Sequence, residues 1–219
     1  MGDGMKTVST KRITRYNKKE TKAVHVVSVL TQDQINAIDR ISNQRDNGIA
    51  YILLDTGMRI SELTNVNYSQ VFEDCRHCKP KETITIIGKG NKERIIPLTQ
   101  RAQNAFISIH RYNKRTLKAK TNSFSPICIS RHHRRLNNNT IRTALKTAIG
   151  ASPHTFRHTC LTNLRNHDTR LEIVQAIAGH ASIVTTQKYY LSVTTDDLIK
   201  AVRSGEQSAG LHIVKAKEA

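Results

Sequence analysis

Residues 94–167 form a run of 74 positions with fourteen lysines and arginines and not one aspartate or glutamate. Such a run cannot neutralise itself. Any ion pair it makes must use an acid from elsewhere in the chain, and the remaining cations must face solvent or an outside anion. Yet it also carries apolar residues at helical spacing, so it is part of a fold and not a basic tail. Across all 219 residues the net charge is +18 and the isoelectric point about 10.1, so this run supplies most of the excess. Charged residues total an ordinary 24%, which makes their sign the anomaly. A polyanionic partner follows, with nucleic acid ahead of an anionic membrane surface. No apolar run approaches the roughly 18–20 residues of a spanning helix. No signal-peptide core follows the N-terminus. The expectation is a cytoplasmic chain, nucleoid-associated in a prokaryote, with no membrane partner.

The chain divides into three parts. Residues 1–24 are polar and basic and read as a flexible arm, with 1–4 as an expression remnant before a start at Met5. Residues 25–203 carry the domain, and 204–219 a C-terminal tail. Thr31 and Gln34 have capping-box spacing, which predicts a helix over 32–42 with Ile35, Ile38 and Ile41 on one face. A buried helix is expected over 49–54 and a short one over 59–65, with 66–82 as loop. Residues 83–87 and 94–98 read as a β-hairpin around the turn-forming Gly88-Lys89-Gly90-Asn91. Further helices are expected over 99–109, 139–149, 153–165, 171–178, 185–191 and 195–202, with 113–137 irregular. The fold class is mainly α with a small antiparallel β-sheet, an α+β arrangement.

Four blocks stand out. Asp55-Thr56-Gly57-Met58-Arg59-Ile60-Ser61-Glu62-Leu63 comes first, then the hairpin lysine Lys89. His154-Thr155-Phe156-Arg157-His158-Thr159 follows, and Gly179-His180 precedes the late pair Tyr189-Tyr190. His154 and Arg157 are three apart and share a helix face. Pro153 puts His154 at a helix start, where free N–H groups favour an anion. In this order the blocks resemble the tyrosine recombinases of the phage integrase family, over about residues 30–191. The resemblance implies that family's catalytic-domain fold. It implies site-specific strand breakage and rejoining for DNA integration, excision or inversion, through a 3′-phosphotyrosyl link and a free 5′-hydroxyl. The partners implied are double-stranded DNA and further copies of the chain, as a tetramer on two DNA sites, with room for accessory DNA-bending proteins.

The residues support the same chemistry. Negative charge grows on the phosphodiester oxygens in the transition state, and Arg59 and Arg157 would clamp them. Tyr189 attacks as nucleophile, and with an unperturbed pKa near 10 it needs a base, for which His154 is the candidate. His180 adds a hydrogen bond to the phosphate, and Lys89 protonates the departing 5′ oxygen. No cofactor is called for, since the cations do the work of a metal and the covalent link conserves the bond energy. Family register selects Tyr189, with Tyr190 as the alternative. Glu62 is read as structural support, His158 as a neighbour of the site, Phe156 as core, and Lys92 or Arg94 as contacts to the DNA backbone. The competing readings are a type IB topoisomerase-like activity without strand exchange and a DNA-binding regulator with a vestigial site. Two departures from the family pattern remain. The separation of Arg59 from Lys89 is long and includes Cys75-Arg76-His77-Cys78, which with Cys128 and His132 or His133 would make four zinc ligands, although reduced thiols are the simpler expectation. Only a basic arm precedes Thr31, which fits a fragment of a longer integrase or a short recombinase without a core-binding domain.

Overall fold

The computed structural model describes residues 28–74, 78–88, 93–166 and 171–179. Its centre is α2 (Gln44–Thr56), in which Ile49, Ala50, Ile52 and Leu53 are all sealed from solvent. These positions span a wide arc of the helix, so α2 needs neighbours on more than one side. It receives them from α1 (Gln32–Ile38), α5 (Gln100–Arg115), α6 (Asn138–Ile149) and α7 (Pro153–Asn166). On α5, Ala102, Ala105, Phe106, Ile109 and Asn113 make one buried stripe at three- and four-residue spacing, and the other faces are polar. The short helices α3 (Ile60–Asn65) and α4 (Tyr68–Val71) follow α2, and α8 (Leu171–Ala178) packs on α7.

Strands β1 (Thr83–Ile87) and β2 (Glu93–Pro97) pair antiparallel, from Thr83 opposite Pro97 to Ile87 opposite Glu93. Side chains alternate between the two faces of a strand. Ile84, Ile86 and Ile96 therefore point together into the core, while Ile87 and Ile95 are exposed. Arg94 lies two residues before Ile96 and opposite Ile86, so the alternation turns it to the inner face as well. A mainly helical domain with one small antiparallel sheet is what the sequence pattern predicts. No helix among the described residues is long and apolar enough to cross a membrane.

Several boundaries differ from expectation for local reasons. Helix α1 stops at Ile38, because the Asn47 side-chain amide donates to the Ile38 carbonyl at 2.8 Å and tighter bonds form at Arg40 and Ile41. Helix α2 starts earlier than expected, at Gln44, where the Asn43 side chain accepts from the Arg45 and Asp46 amides. Residues 68–71, expected as loop, form α4. The Asn67 amide donates to Gln70 at 2.8 Å, and Tyr68, Val71 and Phe72 are buried. Helix α5 runs to Arg115, with Lys114 and Arg115 in its last turn complementing the helix dipole. The helices expected over 185–191 and 195–202 lie outside the described residues.

Thr159 ties the start of the domain to α7: its hydroxyl accepts from the buried Leu30 amide at 2.8 Å and donates to the Thr155 carbonyl at 2.8 Å. Thr159→Val keeps the shape and orphans that amide. Its expected cost is about 1–3 kcal/mol, read as a lower denaturation midpoint at unchanged slope.

Candidate active site

Three elements end close together, and the site is built on their ends. Helix α2 terminates at Gly57, whose φ of +61° is a left-handed cap that a side chain would strain. Two residues later Arg59 caps α3, and three residues after that Glu62 is 6% exposed. Arg157 on α7 reaches into the same place and is 5% exposed. Its guanidinium donates to the Gly57 carbonyl at 2.6 Å and to the Ala178 carbonyl, the last residue of α8. Two helix C-termini, each the negative end of a dipole, thus hold one arginine.

Glu62 organises the opposite side. Its Oε2 accepts from the Arg59 amide at 2.7 Å, and its Oε1 from Arg59 Nη1 at 2.9 Å. Arg94 approaches from β2 as a planar fork, with Nη1 2.8 Å from Oε1 and Nη2 2.7 Å from Oε2. Arg94 Nε donates to the Ile177 carbonyl at 3.0 Å, so α8 gives one terminal carbonyl to Arg94 and the next to Arg157. Gly179 then passes so close that an added Cβ would lie 2.9 Å from Arg94 Cδ.

Burial would push the Glu62 carboxyl up, but the hydrogen bonds from Arg94 and from the Arg59 amide outweigh it and hold the carboxyl below its usual range. Arg157 is pulled down to about 10, first by burial and then by the charge of Arg59, with Glu62 acting in the other direction and Arg94 adding to the repulsion. It remains a cation at neutral pH. Three guanidiniums therefore gather around one carboxylate, and an anion would relieve their repulsion.

Of the six residues expected to be catalytic, Arg59 and Arg157 are brought together, and His154 lies exposed in the first turn of α7. Lys89, His180 and Tyr189 lie outside the described residues, as do Tyr190 and Lys92. His158 is half-buried, and its ring is pushed down by burial and then by His154 and Arg157. Phe156 is core. Glu62 is a support, as read from the sequence, although the spacing alone showed only its pairing with Arg59. Arg94, read from the sequence as a contact to the DNA backbone, is a nearly buried partner of Glu62, its side chain 9% exposed. The period-two alternation of β2, anchored on Ile96, is the signal that would have placed it inside.

The described members of the zinc set go separate ways. Cys78 Sγ sits 3.0 Å from His110 Nε2, a pairing the sequence gives no reason to expect. Cys128 is sealed in the core, where burial pushes its thiol up to about 12. His133 Nε2 lies 2.8 Å from the Leu117 carbonyl. Among the described residues no three histidine, cysteine or acidic side chains are arranged to hold a metal ion. Cys75 lies outside them.

A mainly helical domain that seats two arginines at helix ends, with a histidine one turn away, matches a known group. The sequence model of the phage integrase family aligns with residues 28–195, and the chain belongs to that family. The tyrosine recombinase XerC of Anoxybacillus flavithermus is 34% identical over 194 residues, which cover 83% of this chain and 62% of the relative. The fold is that of the tyrosine recombinase catalytic domains. The crystal structure of the XerA recombinase superposes with a TM-score of 0.65 at 24% identity, covering 83% of this chain and 64% of that one. The XerH recombinase bound to its palindromic difH substrate, in a post-cleavage complex, gives 0.63 at 21% identity, covering 82% and 54%. The chain thus spans about three fifths of the length of the XerC relative.

The lowered carboxyl of Glu62 has a consequence for stability. Its contribution is complete above the unfolded value of 4.5 and is lost as pH falls through the lower folded value. Glu62→Gln is expected to destabilise the protein at pH 7 by about 3–5 kcal/mol, because buried arginines lose their counter-charge. Its unfolding midpoint should also vary less with pH below 4.5 than that of the unaltered protein, as read by denaturant titration across that range.

Proposed function

We propose that this chain is a site-specific DNA recombinase that breaks and rejoins strands of duplex DNA through a covalent phosphotyrosyl intermediate. The observation that carries the reading is the cluster of Arg59, Arg94 and Arg157 around the single carboxylate of Glu62. Among the described residues it holds more positive than negative charge, and the exposed His154 lies one turn from Arg157 on the same helix. Family membership supports the same reading.

In the proposed reaction the phosphate sits against Arg59 and Arg157, which meet the charge that develops on its non-bridging oxygens. The Tyr189 hydroxyl oxygen bonds to phosphorus, and its proton passes to His154. The bond from phosphorus to the 5′ oxygen breaks, and Lys89 gives that oxygen a proton. His180 donates a hydrogen bond to the phosphate. A 5′-hydroxyl from a second strand reverses the steps and displaces the tyrosine, so no ATP is spent and no metal is required. Arg157 is oriented before DNA arrives, because two main-chain carbonyls already hold its guanidinium. The acid-free run supports duplex binding. Arg94 and Arg157 turn inward, and the other twelve of its fourteen cations are exposed. Action as a tetramer on two sites, and in a nucleoid setting, belongs to the same proposal.

A nicked DNA carrying the target site tests the chemistry by trapping the covalent adduct. Tyr189→Phe should abolish the adduct and Tyr190→Phe should leave it. The opposite result moves the nucleophile to Tyr190, and no effect of either removes the tyrosine mechanism. Relaxation of supercoiled DNA without a specific site would favour the topoisomerase-like reading, and binding without an adduct the regulator. Binding itself should weaken steeply as salt rises. Replacing Arg142 and Lys146, both exposed on α6, should lower the slope of log affinity against log salt by roughly 0.9 for each lost phosphate contact.

A further inference from the structure

We propose that Arg94 is a positioning residue for strand cleavage. It ties the hairpin that carries Lys89 to the arginine clamp, and so sets where the general acid meets the departing 5′ oxygen. The inference rests on the proposed function and adds to it a residue outside the six that do chemistry.

Arg94 stands at the turn end of the hairpin, paired with Ile86 and next to the last pair before the turn, Ile87 with Glu93. Lys89 follows Ile87 by two residues. Two peptide steps of about 3.8 Å keep its Cα within about 8 Å of the Ile87 Cα. Whatever fixes this end of the hairpin therefore limits how far the chain at Lys89 can stray from it. The apolar inner face of the hairpin, Ile84, Ile86 and Ile96, fixes it against the core but gives little direction. Arg94 supplies the direction. Two parallel bonds to Glu62 and a third to the Ile177 carbonyl fix its guanidinium in position and in plane. The oxygen that accepts from Arg94 Nη1 also accepts from Arg59 Nη1, so hairpin and clamp share one atom. Gly179, directly before His180, leaves no space for a Cβ beside Arg94.

Two simpler roles fit less well. A phosphate contact would draw the guanidinium away from Glu62, although its side chain is already 9% exposed and bonded through all three nitrogens. A stabilising ion pair alone is a weak reason for this arrangement, since apolar residues of similar volume often replace buried pairs at no loss.

The test separates protonation of the leaving group from everything else. DNA with sulfur in place of the bridging 5′ oxygen releases a thiolate. Thiols ionise near 8.5, so this group departs without a general acid. The Tyr189 oxygen still bonds to phosphorus, the phosphorus–sulfur bond breaks, and the tyrosine proton still goes to His154. On ordinary nicked DNA, Lys89→Ala and Arg94→Ala should form the adduct at least about 100-fold more slowly than the unaltered protein. On the sulfur substrate both should recover to within about tenfold of it, and Arg157→Ala should not, because its loss concerns the phosphate oxygens. Arg94→Lys keeps the charge without the fork. It should show the same pattern in milder form, and it carries the test if the alanine variant does not fold. The proposal is overturned if the Arg94 variants stay slow on the sulfur substrate while Lys89→Ala recovers, or if they are not slow on ordinary DNA. Absence of any adduct from the unaltered protein, or failure of Lys89→Ala to recover, would instead sink the proposed chemistry and this inference with it.

Discussion

A single carboxylate decides the shape of this site. Glu62 accepts the amide and guanidinium of Arg59 and both terminal nitrogens of Arg94. Arg59 opens α3 and Arg94 sits on β2, so the same two oxygens join the helical body to the hairpin. Without the acid, the charges of Arg59, Arg94 and Arg157 would face one another at low dielectric, where repulsion is strong. With it, Arg59 and Arg94 each have a fixed direction. The acid comes from outside the long acid-free run, and Asp55, which pairs with Arg101 at the start of α5, does too. The segment that ends α2 and opens α3 thus supplies counter-charge to a region that has none of its own.

Helix ends complete what Glu62 begins. The final carbonyls of a helix have no intrahelical donor and must be satisfied otherwise. Here the cap of α2 and the end of α8 spend such carbonyls on Arg157 and Arg94. This explains why a cation can lie deep in a domain already rich in positive charge: it meets oxygens that would otherwise need water. It also explains both site glycines. Gly57 turns the chain left-handed, so that its carbonyl faces Arg157 and Arg59 follows at once. Gly179 does the same beside Arg94, where a side chain would collide.

Much of the fold was legible because it rests on local rules. The Thr31–Gln34 capping box, the hairpin around Gly88-Lys89-Gly90-Asn91 and the span of α8 follow from capping, turn chemistry and periodicity. The misses occurred where tertiary contacts override those rules. Asn47 ends α1 from the next helix, and burial of Tyr68 and Val71 folds α4 from a segment whose polar content reads as loop. In the site, two of the four ordered blocks singled out Arg59, His154 and Arg157, because each of those blocks is a local pattern. Arg94 was misread because its role depends on a contact across 32 residues. Its position in the strand period held the clue, and its setting in a basic run obscured it. Cys78 with His110 was missed for the same reason, since 32 residues separate them as well.

The acid-free run takes on a more definite meaning from this arrangement. Its fourteen cations do two kinds of work. Arg94 is nearly buried and Arg157 buried, each fixed by oxygens that other elements supply. The other twelve are exposed, and no acid in the same run competes for them. An acid inserted among the exposed cations would form local pairs and lower the potential that draws in a polyanion. An acid inserted beside Arg157 would fill the place proposed for the phosphate. The absence of acids is thus one constraint applied at two depths: on the surface it keeps the field positive, and in the site it leaves Glu62 as the carboxylate bonded to Arg59 and Arg94, placed to orient the cations without matching their total charge.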